Sequence, residues 1–479
     1  MWSDNPAQNL VIVENFRNSG DFKIKPSLDG GFYVAWLDEK NGYSLKIQKL
    51  DANGNLMWPL NAPSTQGILV YSRSINTFTY DFGMTVDSNN NVYFGIDSGI
   101  TIADYARPGG RAIACKVSPE GEILFGGNGI VLSPETDLVD EVRCTSTTDN
   151  GVAYAWTLDS NTAIRTVKID ANGNPLWNTG DLYQSKKITM VLNSVEPSED
   201  GGVISSFTYN IPQEPPQNKP GERTSHDLLA RKLNASGAIV FPAGIQFVYE
   251  HTSEYYGLNS FETCKCVSDS NGGVVYAFQC QNNPGNETDN WEVHIQHLQS
   301  SGEFRYVQNG IPVTSDRENN HTTPALGYDV SADLTYVLWQ TESIPLIYGD
   351  PVWTSIRAQC IHSSGLKLWN TTGVELESPS VDSTYTAAIS ILPFDQSAIA
   401  AWVPNGSGVT LTPIRTAMIN SEGEFSWPDK TVDIKSSAPT IGTTDACKNN
   451  YGVIAWADSG ETIRAQNINT DGTLGNKTN

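Results

Sequence analysis

The sequence lacks a long apolar run, and it has few basic residues. Within its 479 residues no apolar segment approaches the roughly 20 residues that a membrane helix needs, so we expect no membrane span. Lys and Arg number 30 against 53 Asp and Glu, which gives a formal net charge of −23. That charge repels a phosphate backbone and excludes nucleic acid as an expected partner.

The short motifs of common catalytic and metal sites are also missing. We find no nucleophile elbow, phosphate loop, sialidase-type Asp box or Asp-x-Asp-x-Asp calcium loop. The six His residues lack zinc spacing. We therefore expect no metal and no cofactor, and the sequence favours a binding protein over an enzyme without deciding the point.

Helical periodicity is almost absent, and two strand-like anchors recur about 60 residues apart. One anchor is a Gly followed four residues later by an aromatic residue, as in "DANGNLMW". Its copies are Gly54/Trp58, Gly121/Phe125, Gly173/Trp177, Gly237/Phe241, Gly302/Tyr306, Gly365/Trp369 and Gly423/Trp427. An eighth glycine, Gly472, lacks the aromatic partner. The other anchor is a strand that ends at Trp36, Ile96, Trp156, Phe207, Phe278, Trp339, Trp402 or Trp456.

Each unit divides into four strands, which we name A to D. In the first unit they are predicted at Phe22–Leu28, Gly31–Trp36, Leu45–Leu50 and Ile68–Tyr71, with tight turns joining A to B and C to D. Four antiparallel strands repeated radially form a propeller blade. The sequence thus predicts an all-β fold, an eight-bladed β-propeller that forms a single domain over residues 1–479.

The last unit stops after strand C and lacks both its aromatic residue and strand D. The opening residues 1–14 supply both, with Trp2 as the aromatic residue and Leu10–Val13 as the strand. We expect the N-terminal strand to close blade eight, which removes a free sheet edge. This closure also implies a complete domain, with any anchor lying outside it.

The stretch Asp51-Ala52-Asn53-Gly54-Asn55-Leu56-Met57-Trp58 resembles the tryptophan-docking repeat of quinone-dehydrogenase-type propellers and their non-catalytic outer-membrane assembly relatives. It is also similar in sequence to repeats of secreted or cell-surface bacterial propellers of the Bacteroidetes type. The resemblance implies eight blades and an outer-membrane or cell-surface setting. The quinone enzymes carry a vicinal Cys pair, whereas this chain has Cys264-Lys265-Cys266, so we expect no quinone cofactor.

The B–C and D–A connections share one face of a propeller, and here they vary greatly in length, which marks a binding face. Blades two, four, five and six supply most of it. Unrepeated aromatic and basic residues in or beside these connections suit stacking on a sugar or gripping a peptide. The predicted binding residues are Tyr105, Arg107, Tyr255, Tyr256, His321, Tyr348 and Trp353.

Two functions stay open from the residues, and the resemblance alone implies a third, an assembly scaffold whose outer blade edges dock a membrane complex. The first is a non-catalytic, monomeric propeller that binds a glycan, peptide or protein partner. We expect it to be extracellular or at the cell surface, or alternatively periplasmic or associated with the outer membrane. We recognise no signal peptide in this sequence. The second is a glycan-active lyase or hydrolase. Its acids would come from Asp104, Glu254, Asp316, Glu342 and Asp350. Carboxyl groups at the channel mouth with raised pKa values would favour the enzyme.

Seven Cys residues form no obvious disulfide framework. Cys144 and Cys266 lie twelve residues before the aromatic end of strand B, where other units carry mostly small or apolar residues. This position predicts that the two thiols fill the core.

Overall fold

The computed structural model describes the chain except for short segments. These are residues 15–20, 39–41, 62, 74–76, 79–80, 102–109, 135–136, 159–161, 185–189, 212–224, 242–243, 251–254, 259–263, 283–289, 345–350, 382–384, 407–412, 436–440, 459–461 and 477–479. The described residues form strands and turns, and none of them lies in a helix. Within that part of the chain, no helix offers the length and apolarity of a membrane crossing.

Eight antiparallel sheets form the blades, which confirms the predicted eight-bladed propeller. The first strand of the chain, β1 (Leu10–Glu14), belongs to the last blade. Blade 1 contains β2 (Phe22–Pro26), β3 (Phe32–Asp38), β4 (Ser44–Leu50) and β5 (Ile68–Tyr71). Blade 2 contains β7 (Gly83–Val86), β8 (Val92–Asp97), β10 (Ala112–Val117) and β11 (Ile130–Val131), with β6 (Thr77–Phe78) and β9 (Ile100–Thr101) as a separate ribbon.

The middle blades follow the same order. Blade 3 contains β12 (Val139–Ser146), β13 (Val152–Leu158), β14 (Ala163–Ile169) and β15 (Pro175–Gln184). Blade 4 contains β16 (Met190–Pro197), β17 (Val203–Ile211), β18 (Ser225–Leu233) and β19 (Gln246–Tyr249). Blade 5 contains β21 (Cys264–Ser268), β22 (Val274–Asn282), β23 (Asn290–Leu298) and β24 (Ile311–Pro312), and β20 (Tyr255–Leu258) pairs with β22 as an extra strand.

The last three blades complete the ring. Blade 6 contains β25 (Asn319–Asp329), β26 (Leu334–Ser343), β27 (Thr354–His362) and β28 (Val374–Ser380). Blade 7 contains β29 (Tyr385–Phe394), β30 (Ser397–Gly406), β31 (Ile414–Ile419) and β32 (Val432–Lys435). Blade 8 contains β33 (Ile441–Lys448), β34 (Gly452–Asp458), β35 (Thr462–Ile468) and β1.

The N-terminal strand closes blade 8 as expected. Strand β1 pairs antiparallel with β35, where Leu10 lies opposite Ala465 and Val13 opposite Ile463. Trp2 is 5% exposed and shares an apolar cluster with Phe32 of blade 1. The pairing joins the two ends of the chain, so the last sheet has a regular outer strand.

The A strands form the inner wall. Each contacts the A strand of the next blade, from β2 through β7, β12, β16, β21, β25 and β29 to β33, and β33 contacts β2. The aromatic ends of the B strands, such as Trp156 and Trp339, are fully buried between blades. This arrangement leaves a central channel lined by A strands. Every A strand begins at the end of the ring that carries the D–A connections.

Candidate functional site

The channel contains a cavity of about 1180 Å³. Its walls are the A strands of five neighbouring blades, β2, β7, β12, β16 and β21, together with the residues just before β2 and β7. Its charged lining residues are Asp21, Lys23, Lys25, Asp81, Glu141, Arg143, Glu196 and Lys265. Because Asp21 and Asp81 stand at the start of their A strands, they lie toward the end of the channel with the long B–C and D–A connections.

An ion-paired cluster joins blades 1, 2 and 3 at this end. Lys23 Nζ lies 2.7 Å from Asp81 Oδ1 and 3.7 Å from Asp21 Oδ2. Arg143 of blade 3 donates a hydrogen bond to Asp81 Oδ2. The backbone N–H groups of Phe22 and Phe82 donate to Asp21 and Asp81. Asp81 is therefore held by two cations from the blades on either side.

The two carboxyl groups have opposite pKa shifts. Burial raises the pKa of Asp21 to about 7, opposed by Lys23 and reinforced by the charge of Asp81. Burial would also raise the pKa of Asp81, but Lys23 and Arg143 outweigh it and hold that pKa below its usual value. Near neutral pH the pair thus combines the Asp81 carboxylate with a partly protonated Asp21 carboxyl group that can donate a proton. Such a split is the arrangement that acid and base groups need.

A second acidic group lies deeper in the channel. Burial raises the pKa of Glu196 in β16 to about 7, although Lys25 and a backbone N–H of Ser268 oppose that shift. Burial also raises the pKa of Asp445 in β33, again opposed by Lys25. The backbone N–H of Ile24 donates to Asp445 Oδ2 at 2.8 Å, which links blade 8 to blade 1. Lys25 of blade 1 therefore acts electrostatically on one carboxyl group of blade 4 and one of blade 8.

Lys25 and Lys265 are the exposed cations of the cavity. Neither ammonium group has an ion pair with a carboxylate among the residues that the structure describes. Lys23 and Arg143, by contrast, are both engaged by Asp81. An anionic ligand in the channel can thus pair with Lys265, and it can pair with Lys25 in competition with the carboxyl groups of Glu196 and Asp445.

Of the predicted binding residues, two have described side chains. Trp353 is half-buried at the base of the B–C connection of blade 6, where its backbone N–H donates to Ser343 Oγ at 3.0 Å. His321 was expected in a D–A connection, but it lies in strand β25 opposite Thr341, because this 11-residue strand already begins at Asn319. Its imidazole is fully buried, edge-on to Trp339, within hydrogen-bond distance of Thr341 Oγ1.

The binding role of His321 stays a prediction, and its burial has an electrostatic consequence. Burial lowers the pKa of His321, although Asp316 opposes this shift. The ring therefore packs as a neutral group that supports the loop end of blade 6.

The other predicted residues cannot be placed as side chains. Tyr105, Arg107 and Tyr348 lie outside the described residues. Tyr255 and Tyr256 were expected in a connection and lie in β20, whose side chains are not described; β20 adds to the end of blade 5 beside β22. These five residues stay predictions.

The predicted catalytic acids divide in the same way. Asp104, Glu254 and Asp350 lie outside the described residues. Burial raises the pKa of Glu342 in β26, and its Oε1 accepts a hydrogen bond from Gln340 Nε2 at 2.6 Å. Burial would raise the pKa of Asp316, but hydrogen bonds from Asn319 and the N–H of Glu318 lower it. Neither residue lines the channel cavity.

Sequence reasoning did not select the charged channel residues. The sequence-based prediction relied on connections of variable length. The charged channel residues instead lie in or directly before A strands; they include Asp21, Lys23, Lys25, Glu196 and Lys265. A usable signal was present in the "DFKIKP" stretch, because two lysines alternate there with apolar residues in the innermost strand of a blade. Across the described residues, no group of three or more His, Cys, Asp and Glu side chains is arranged to hold a metal ion.

Comparisons with known proteins identify similar folds, but they assign the chain to no sequence family. No protein-family model and no curated protein matches the chain. An ulvan lyase, a polysaccharide lyase bound to -[GlcA(1-4)Rha3S]-, superposes with a TM-score of 0.50 at 10% identity, covering 98% of both chains. A second ulvan lyase structure gives 0.50 at 12% identity over 92% of this chain and 100% of that one. The polysaccharide lyase Uly1 gives 0.45 at 10% identity, covering 81% and 90%. At these identities the similarity to the two ulvan lyase structures shows the propeller fold alone.

Proposed function

We propose that the chain is an extracellular or cell-surface propeller that binds an acidic glycan at the mouth of its central channel. The observation that carries this proposal is the pair of exposed ammonium groups, Lys25 and Lys265, in the wall of a 1180 Å³ cavity. Small-ligand pockets usually enclose about 300–1,000 Å³, so this cavity is roomy enough for a short stretch of a polymer.

The charge distribution supports an anionic ligand. The protein as a whole carries a formal charge of −23, whereas the channel cavity balances four acidic residues with four basic ones, Lys23, Lys25, Arg143 and Lys265. Lys23 and Arg143 pair with Asp81, whereas Lys25 and Lys265 form no ion pair with a described carboxylate and can meet a carboxylate or sulfate group of a ligand. For Lys25 such a ligand competes with Glu196 and Asp445, whose pKa values are raised by burial. A neutral sugar or an apolar peptide would offer neither ammonium group a new ion pair.

The structural comparison offers a precedent for this ligand class. The ulvan lyase structure contains -[GlcA(1-4)Rha3S]-, a saccharide with an acidic and a sulfated sugar. That ligand belongs to the ulvan lyase, and for this chain an acidic glycan is a proposal that rests on the channel lysines. The predicted aromatic residues of the connections, Trp353 among them, would stack on sugar rings outside the channel.

A binding test begins with an array of acidic glycans, neutral glycans and peptides. We expect the intact chain to bind acidic glycans, and K25A and Y255A or W353A to weaken that binding. The control variant is K430Q, which removes an exposed lysine from the C–D turn of blade 7, at the opposite end of the ring. Binding restricted to neutral glycans or peptides would contradict the proposal, as would equal binding by all four variants.

The carboxyl pair Asp21 and Asp81 favours a second candidate, a glycan-active enzyme. A protonated Asp21 beside an ionised Asp81 supplies the proton donor that glycosidic bond cleavage requires. Incubating the chain with the glycans that it binds, followed by chromatography of the products, distinguishes the two functions. Shortened chains that form with the intact protein and not with D21N would establish the enzyme; unchanged glycans would establish the binder.

A further inference from the structure

The partly exposed cysteines of the protein line the channel. Four cysteines, Cys115, Cys280, Cys360 and Cys447, are buried, whereas Cys144, Cys264 and Cys266 are partly exposed. All three partly exposed thiols line the channel cavity. Cys144 and Cys266, which were predicted to fill the core, each pack against a core cluster and also line the cavity.

Two of these thiols lie side by side. Cys264 and Cys266 alternate with Lys265 in β21, so both side chains point to the same face of the strand. Their Sγ atoms are 3.7 Å apart. Positions two residues apart in a strand have Cα atoms about 6.4–6.8 Å apart, which lies at the upper end of the range that a disulfide spans. To form a bond, β21 must distort locally so that the two Cβ atoms approach each other, which makes the disulfide strained and readily reduced.

The backbone of this pair is held on one side. Cys264 pairs with Phe278 and Cys266 with Tyr276 in β22, and the Tyr276 hydroxyl lies 2.8 Å from Ser206 Oγ in blade 4. Strand β21 also has the A strands of blades 4 and 6 beside it. These contacts keep the two thiols together at the cavity wall rather than letting them separate.

We propose that Cys264 and Cys266 form a redox-sensitive dithiol, which a small-molecule disulfide entering the channel converts to an intrachain disulfide. The thiolate of one cysteine attacks the small disulfide, forms a mixed disulfide and releases one small thiol. The second cysteine then attacks the protein sulfur of that mixed disulfide and releases the second small thiol. Two cysteines are oxidised, one small disulfide is reduced to two thiols, and the two protein protons end on those thiols.

The environment of Cys264 predicts that attack by this thiol is slow. The hydrogen bond with Cys266, followed by burial, raises the pKa of Cys264 well above its usual value. Little of that thiol is ionised at neutral pH, and the thiolate is the attacking species. The reaction should therefore quicken as the pH is raised, and it should need a sustained supply of oxidant.

The test uses the reduced, folded full-length chain and glutathione disulfide. We expect the intact mass to fall by the mass of two hydrogen atoms, with no glutathione retained. Trypsin cleaves after Lys265, so a digest of the unfolded, alkylated protein should contain two peptides joined through Cys264 and Cys266. A parallel reaction in urea shows that the oxidant is active on the same chain.

Three variants locate the reaction. In C264S and C266S the remaining thiol has no neighbour, so glutathione stays attached or the mass is unchanged, and no linked peptides appear. C144S is the matched control, because it removes the third channel thiol, and it should still form the linked peptides. An unchanged mass for the folded wild-type chain would overturn the proposal, and so would stable glutathione adducts on it, a link to Cys144, or linked peptides in C264S.

Discussion

The indole ring of Trp2 lies against Gly54, and its Nε1–H donates to the Ala52 carbonyl oxygen at 3.1 Å. The first aromatic residue of the chain thus docks on the glycine turn of the next blade. The same relation joins every neighbouring pair of blades. Its other members are Trp58 with Gly121, Phe125 with Gly173, Trp177 with Gly237, Phe241 with Gly302, Tyr306 with Gly365, Trp369 with Gly423, and Trp427 with Gly472.

This docking predicts that G54A destabilises the fold. Gly54 has a φ of 76°, and an added Cβ would lie 2.8 Å from the Trp2 ring. Backbone strain and the clash together should cost about 1–3 kcal/mol of unfolding free energy. The matched control is G126A, since Gly126 has a φ of 72° and nothing within 4 Å of the added Cβ. Urea denaturation should show a clearly larger loss for G54A; equal losses would mean that docking contributes nothing.

Deletion of residues 1–14 should lower the unfolding temperature strongly. The deletion removes the pairing of β1 with β35 and the buried ring of Trp2, and it leaves an unpaired edge on blade 8. W2A alone should cost about 3–5 kcal/mol, because it empties the space between blades 8 and 1. Calorimetry of the three proteins checks both effects. An unchanged melting temperature for the truncated chain would refute closure by the N-terminal strand.

The repeat made the fold readable from the sequence, because one copy of Gly54 and Trp58 could be compared with six others. It also allowed Trp2 to be recognised as the missing eighth aromatic residue. The channel was harder to read. Lys25 and Glu196 belong to different blades, and only the closed ring brings their A strands into one cavity. His321 shows the opposite error, since a polar residue in a variable segment proved to be a buried part of a strand.

Stability should depend on pH through Asp21. The ordinary carboxyl pKa of 3.8 is raised to about 7 in the folded chain, so folding takes up a proton between those values. The contribution of Asp21 is therefore most favourable at low pH and declines as the pH rises from about 4 to 7. The decline should be about 2 kcal/mol, reduced from the full shift because the side chain is 26% exposed.

The variant D21N cannot ionise, so the pH-dependent decline should disappear. The free energy of unfolding of the wild type, relative to D21N, should be lower at pH 8 than at pH 5. E424Q, which changes an exposed carboxyl group in a C–D turn of blade 7, serves as the control. A wild-type to D21N difference that is constant across this pH range would show that the Asp21 carboxyl is not perturbed.

Binding of an acidic glycan should weaken as the pH rises through 7. Burial raises the pKa of Glu196 to about 7, so below that pH the carboxyl group is largely neutral, and above it an added negative charge opposes an anionic ligand. E196Q should bind with an affinity that changes less between pH 6 and pH 8. The dissociation constants of the wild type and E196Q, measured at these two pH values, test whether Glu196 causes the pH dependence. An identical pH dependence of the two proteins would exclude Glu196 from the site.

The central claim is that an anionic glycan binds between the channel lysines, and isothermal titration calorimetry of an acidic oligosaccharide tests it most directly. We expect K25A and K265A each to weaken binding about 5-fold to 30-fold, as loss of one charge-assisted contact of about 1–2 kcal/mol implies. Binding should weaken further in high salt, and K430Q should bind like the wild type. Unchanged affinity in the double variant K25A/K265A would contradict the account.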